Sequence, residues 1–163
     1  MGLGNTKLQT VHVKRDSRVF RVGNASSIEN LHGLFEGITK PFVLLLAADA
    51  TKLSDKQILH AAEQIIPKGL TYFCAWGPDC ERVHDLFDRI TPYEETTQNP
   101  LQKLIITTWH AKDSLRNAAW FLQNCAWPAE AQKPEEFDCI GISVNNLLWC
   151  TKIRETFIAN SRR

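Results

Sequence analysis

The chain lacks the short motifs that usually announce chemistry. It holds no CxxC pair and no HExxH, which removes the commonest zinc and dithiol signatures. No GxGxxG follows a strand-like run and no GxxxxGK[ST] occurs, so dinucleotide and P-loop binding are not expected. Gly77-Pro78 alone cannot cradle a phosphate, and neither a cofactor nor a metal is implied. An excess of one charge is missing too. With 19 Lys and Arg against 18 Asp and Glu, the net charge of +1 gives no bulk attraction to nucleic acid or anionic lipid. No apolar run approaches the ~20 residues of a membrane span. The opening MGLGNTKLQT has no hydrophobic signal core. Five cysteines, an odd number set mostly in apolar segments, point to reduced thiols in the cytoplasm rather than to a disulfide scaffold.

What is present is a repeated strand-then-helix plan. Leu70 to Ala75 is a short apolar run with aromatic content, as suits a strand covered on both faces. Gly77-Pro78-Asp79 turns the chain, and Asp79 is placed to accept from the first helical amides. From Cys80, the residues Val83, Leu86, Phe87 and Ile90 recur at helical spacing, with Glu81, Arg82, Asp85 and Arg89 opposite. Phe42 to Ala47 is the most hydrophobic strand. The helix after it opens on a capping box, Ser54 with Gln57, and carries Ile58, Ala61, Ala62 and Ile65.

Leu104 to Thr108 and Phe137 to Val144 repeat the strand pattern. Asp113 and Asn145-Asn146 open the helices that follow them, with Leu115, Ala118, Ala119, Leu122 and Cys125 inward on the first and Leu147, Cys150, Ile153, Phe157 and Ile158 on the second. Near the start, Gln9 to Val13 and Arg18 to Val22 read as a hairpin or a pair of edge strands. A helix opened by Ser26 and Glu29 in capping-box spacing comes next, with Ile28, Leu31, Leu34, Phe35 and Ile38 inward. The predicted fold is a three-layer α/β/α sandwich with a mostly parallel sheet and an antiparallel N-terminal edge. One domain over residues 1–163 is the simplest division, with a hairpin in 1–25 and a frayed tail from Asn160 to Arg163. Thr91 to Pro100, polar and with two prolines, reads as a solvated insertion.

Parallel strands bring their following loops to one edge, where open α/β sheets bind ligands. That gathers Asp49, Thr51 and Lys52; Trp76, Asp79, Cys80 and His84; Thr108, Trp109, His110 and Asp113; and Asn145 with Asn146. Cys80 and His84 lie one turn apart on a helix, the thiol in the first turn where the dipole favours a thiolate, and His110 could assist. Their plainer reading is a buried cysteine and two surface histidines on separate loops. Cys80, His84 and His110 with Asp79 could also hold a metal, but without a paired motif the unrelated-loops reading is preferred. Asp49, Trp76, Asp79, Thr108, Trp109 and Asp113 are the ligand-binding candidates, the Trp76 and Trp109 rings approaching one another over the sheet edge. Trp120 stands on a polar helix face beside Arg116, as interface anchors do.

The segments Ala75-Trp76-Gly77-Pro78-Asp79-Cys80, Thr107-Thr108-Trp109-His110 and Trp120-Phe121 through Cys125-Ala126 together resemble a family of small uncharacterised bacterial proteins, a domain of unknown function. That family carries AWG-x-DC, then TTWH, then a WF-x-x-x-CA helix. The resemblance spans Leu70 to Ala126 and implies a bacterial cytosolic origin but no activity. It directs attention to the Trp76–Cys80 and Thr108–His110 loops. The reading taken is a cytoplasmic binding or protein-interaction domain without catalysis, meeting a small ligand or an unidentified protein partner, with a homodimer as a further option. Its size also suits an accessory of a bacterial defence or toxin–immunity system. The alternative is a cysteine-dependent hydrolase or transferase using Cys80 and His84.

Overall fold

The structure is a computed structural model and describes residues 6–91 and 104–160. Among these, six strands make one sheet: β1 (Thr6–Val11), β2 (Phe20–Ala25), β3 (Phe42–Ala47), β4 (Leu70–Trp76), β5 (Ile106–Trp109) and β6 (Asp138–Val144), in the order β1-β2-β6-β3-β4-β5. Only β1 runs antiparallel to its neighbour. The 3-10 helix Ile28–Phe35, α1 (Asp55–Ile65) and α2 (Cys80–Ile90) cover one face; α3 (Leu115–Asn124) and α4 (Leu147–Asn160) cover the other. The expected three-layer α/β architecture with an antiparallel edge is therefore present. No helix among the described residues is long and apolar enough to cross a membrane.

The two cores follow from the period of two along each strand. Phe42, Leu44 and Leu46 of β3 enter one core, and Val43, Leu45 and Ala47 enter the other. All six β3 residues are buried, and at about 1.5–3 kcal/mol for each large side chain this strand anchors the domain. Phe73 of β4 lies flat on Phe87 of α2, with ring centroids 3.9 Å apart.

Several local expectations change. β2 is not an edge strand: it pairs in parallel with β6, and five of its six residues are buried. The helix after it is a 3-10 helix, whose buried Ile28, Leu31 and Leu34 recur every three residues, matching three residues per turn. Its N-cap is Ser27 without a side-chain cap bond, while Ser26 accepts from Asn30 Nδ2 at 2.7 Å. The Ser54–Gln57 capping box forms as expected. Asp79, however, holds a left-handed backbone (φ 64°) and makes no cap bond; its carboxylate takes Arg82 Nε at 2.8 Å instead. Ser114, not Asp113, caps α3, and Cys125 is exposed rather than inward. On α4 the buried residues are Ile153, Thr156 and Phe157, with Leu147 exposed. Asn160, expected to begin a frayed tail, instead closes α4 and donates from its side-chain amide to Gln123 Oε1 at 3.1 Å. Pro92 to Pro100 of the predicted insertion and residues 161–163 of the tail lie outside the described residues.

The topology has one reversal. The crossovers leaving β2, β3 and β4 pass over the first face, while the connection from β5 to β6 passes over the second through α3. At the carboxyl edge, β6 thus turns to the second face into α4, and the strands on either side of it turn to the first. Such a point leaves a crevice that α/β sheets use for ligands.

Candidate functional site

A cleft of about 500 Å³ opens at that crevice. Ser26, Ser27, Ile28 and Glu29 line it from the loop and helix after β2, and Asp49, Thr51, Lys52 and Leu53 from the loop after β3. Val144, Asn145, Asn146 and Trp149 complete it from β6 and the first turn of α4. The loop backbones are fixed by bonds beyond the strands. Asn145 N–H donates to Ala25 O at 2.7 Å, Ala48 N–H to Trp76 O and Ala50 N–H to Pro78 O, both at 3.0 Å. Asn145 sits in the left-handed region (φ 50°), which Asn tolerates better than most residues.

Beneath the cleft, the fully buried Asn24 accepts from Ser143 Oγ at 2.7 Å and from Asn146 N–H at 2.9 Å. Asn146 in turn caps α4 through Trp149 N–H at 3.1 Å. Asp49 Oδ1 accepts from Thr51's hydroxyl at 2.7 Å and amide at 3.1 Å, which holds its carboxyl below the ordinary value. Hydrogen bonds from Gln57 and Ser27 do the same for Glu29. Asp49 Oδ2, Lys52 Nζ and the Asn145 side-chain amide have no hydrogen-bond partner among the described residues. The cleft therefore presents an acceptor, a donor and a group that is both, beside an indole wall.

The other predicted residues share the edge but separate into three groups. Asp79 joins a knot in which Arg82 also binds Asp55 at 2.8 Å and the carbonyls of Ala50 and Leu53 at 2.6 and 2.9 Å. This knot ties the start of α2 to the loop before α1. On the second face His110 is buried: Nδ1 meets Asp113 Oδ2 at 2.9 Å, Nε2 meets Thr108 Oγ1 at 3.0 Å, and the ring packs 4.7 Å from Phe121. Burial raises Tyr72 and Cys74 nearby to about 12 each. On the first face His84 bonds Asp85 at 2.8 Å and Thr107 at 3.0 Å and lies against Trp109, with centroids 4.6 Å apart.

Cys80 belongs to none of these groups. It is 1% exposed within the first core, and burial pushes its thiol up, against the lowered thiol a nucleophile requires. Both ring nitrogens of His84 are already engaged by other residues. The thiol and imidazole thus share a helix without forming an activated pair. Among the described residues no three His, Cys, Asp or Glu side chains gather as a metal site. Trp76 and Trp109 do not meet, because Trp109 is in register with Ala75, one residue before Trp76, and so points to the other face. Trp76 packs edge-on to Trp149 at 5.0 Å, and its Nε1 donates to Asp113 O at 2.8 Å. Trp120 is 43% exposed and lines a groove with Arg116.

Sequence reasoning found Asp49, Thr51, Lys52, Asn145 and Asn146 but missed Ser26, Ser27, Glu29 and Trp149. Reading β2 as an edge strand removed its following loop from the carboxyl edge. The alternation through Val22 and the Ser-Ser pair before a helical run were the available signal. These features define a mixed α/β sandwich with a polar cleft at its topological switch point. The chain belongs to a domain family of unknown function, DUF7684, whose sequence model matches residues 25–146. That range holds all three cleft loops and stops just short of α4. No curated protein matches the chain.

Proposed function

We propose that this chain is a non-catalytic cytoplasmic binding domain that takes a small polar ligand in the cleft between the loops after β2, β6 and β3. The carrying observation is the cleft itself, about 500 Å³ at the sheet's reversal point, in which Asp49, Lys52 and Asn145 have unspent hydrogen-bonding capacity. Structural polar residues elsewhere on the edge, Asp79, His110 and Asp113 among them, are already bonded. One carboxylate, one ammonium and one amide suit a ligand bearing both donors and acceptors rather than a strong polyanion. The volume suits a nucleoside, a sugar or an amino acid. Free cysteines at Cys74, Cys80 and Cys139, all buried, agree with a reducing compartment.

The test compares native and denatured masses of the purified protein, then follows melting against a panel of nucleosides, sugars and amino acids. A bound mass or a raised melting temperature, absent from both Asp49→Ala and Asn145→Ala proteins, is expected. Stabilisation that survives both substitutions, or none across the panel, would overturn the assignment.

A further inference from the structure

We propose that the outer face of α3 and α4 is a homodimer interface, with a second copy of this chain as its occupant. A groove of about 310 Å³ runs between the two helices, with Arg116 and Trp120 on the α3 side and Glu155 and Ala159 on the α4 side. Trp120 is 43% exposed at this groove, a placement that marks contact surfaces more than solvent-facing ones. Arg116 and Glu155 are both exposed and have no ion pair or hydrogen bond among the described residues.

The choice of occupant follows from charge. A groove with a cation on one wall, an anion on the other and an indole beside them complements its own copy turned about a two-fold axis. Arg116 of each copy then meets Glu155 of the other, and the pairing is satisfied twice. A strongly acidic or strongly basic partner would match one wall and be repelled by the other. Leu148, 75% exposed and seven residues before Glu155, lies on the same side of α4 and extends the apolar contact. The 14 residues of α4 span about 21 Å, and two helices 8–10 Å apart are about 20 Å wide, so the face offers roughly 400 Å² per copy. That is about half of the ~800 Å² per partner of a standard interface, so the dimer is weak and fills only at high concentration.

Sedimentation equilibrium from low micromolar to near-millimolar protein tests this. The expected result is a mass rising toward twice the chain's 18.5 kDa. Trp120→Ala weakens association by ~10-fold or more. Arg116→Glu and Glu155→Arg each weaken it, and the two changes together restore it. Circular dichroism melts confirm that these surface variants remain folded. A monomer throughout the range would overturn the proposal, including where a different protein proves to occupy the face. So would a dimer indifferent to Trp120→Ala and to the charge reversals, or a double reversal no better than either single one.

Discussion

Replacing Gly77 with alanine tests how rigidly the carboxyl edge is built. Gly77 has φ +116°, and a Cβ there would stand 2.1 Å from the carbonyl oxygen of Ala48 and 3.0 Å from its carbon. The obstacle is backbone, and it is tethered. Ala48 N–H donates to Trp76 O and Ala50 N–H to Pro78 O, so moving this carbonyl puts two bonds at risk. A φ this far outside the left-handed basin costs an alanine about 3 kcal/mol, and two weakened backbone bonds add about 1–2, giving about 4–5 kcal/mol. Gly37 supplies the control, since its φ is +80° but no described residue lies within 4 Å of its Cβ position. Gly37→Ala should cost only backbone strain, about 1–2 kcal/mol. Equilibrium urea unfolding followed by tryptophan fluorescence measures both. A Gly77→Ala protein no less stable than Gly37→Ala would show that the β3 and β4 loops yield to each other and that the carboxyl edge is not rigidly built.

Three other outcomes are expected. Phe73→Ala and Phe87→Ala should each cost about 3–5 kcal/mol in urea unfolding, with about 0.5–1.5 kcal/mol of coupling in the double-mutant cycle because the rings stack at 3.9 Å; no coupling would count against the stack. Alkylation at neutral pH, read by peptide mass spectrometry, should modify exposed Cys125 first and leave Cys74, Cys80 and Cys139 until denaturant is added; rapid modification of Cys80 would revive the cysteine-enzyme reading. Asp16 is partly buried, which raises its carboxyl, but bonds from the Arg18 side chain and amide outweigh this and hold it below its ordinary 3.8. The stabilisation is present above that ordinary value and is lost as pH falls through the lower folded value. Asp16→Asn should therefore be about 1–3 kcal/mol less stable at neutral pH. Denaturation curves should show the gap closing in strong acid, and a gap unchanged there would exclude the ion pair as its source.

The elements legible in the sequence are those decided by local chemistry. The run Phe42–Ala47 is apolar at every position, so it reads as a central strand without knowledge of its neighbours. Val83, Leu86 and Phe87 mark the inner face of α2, and Ser54 with Gln57 shows where α1 begins. What was illegible depends on pairing between distant residues. β2 looks weak because Gly23 and Asn24 interrupt it, yet Asn24 is buried and answered by Ser143 and Asn146, more than a hundred positions later. Asp79 has the composition of a cap, but its positive φ and Arg82 three residues on redirect the carboxylate. For the candidate site, the edge was predictable from alternation of strand and helix, whereas its division into a cleft and three bonded groups depends on strand order and register. Trp109 shows this most simply, since a one-residue offset from Trp76 sends its ring to the opposite face.

The position of β6 bears on how the molecule comes into being. β2 touches no sheet neighbour except β1 and β6, and β3 meets β2 only through β6. During synthesis from the N-terminus, the β1–β2 hairpin and the β3–β4–β5 ribbon therefore remain unlinked by any ladder until residues 138–144 emerge. That strand forms two parallel ladders, one to β2 and one to β3, each closing a loop of about a hundred residues. The same insertion brings Asn145 and Asn146 against the ends of β2 and β3. A chain stopped short of residue 138 leaves β2 and β3 each with an unpaired edge and lacks the β6 wall of the cleft, so the strand that joins the sheet is also the one that completes the cleft.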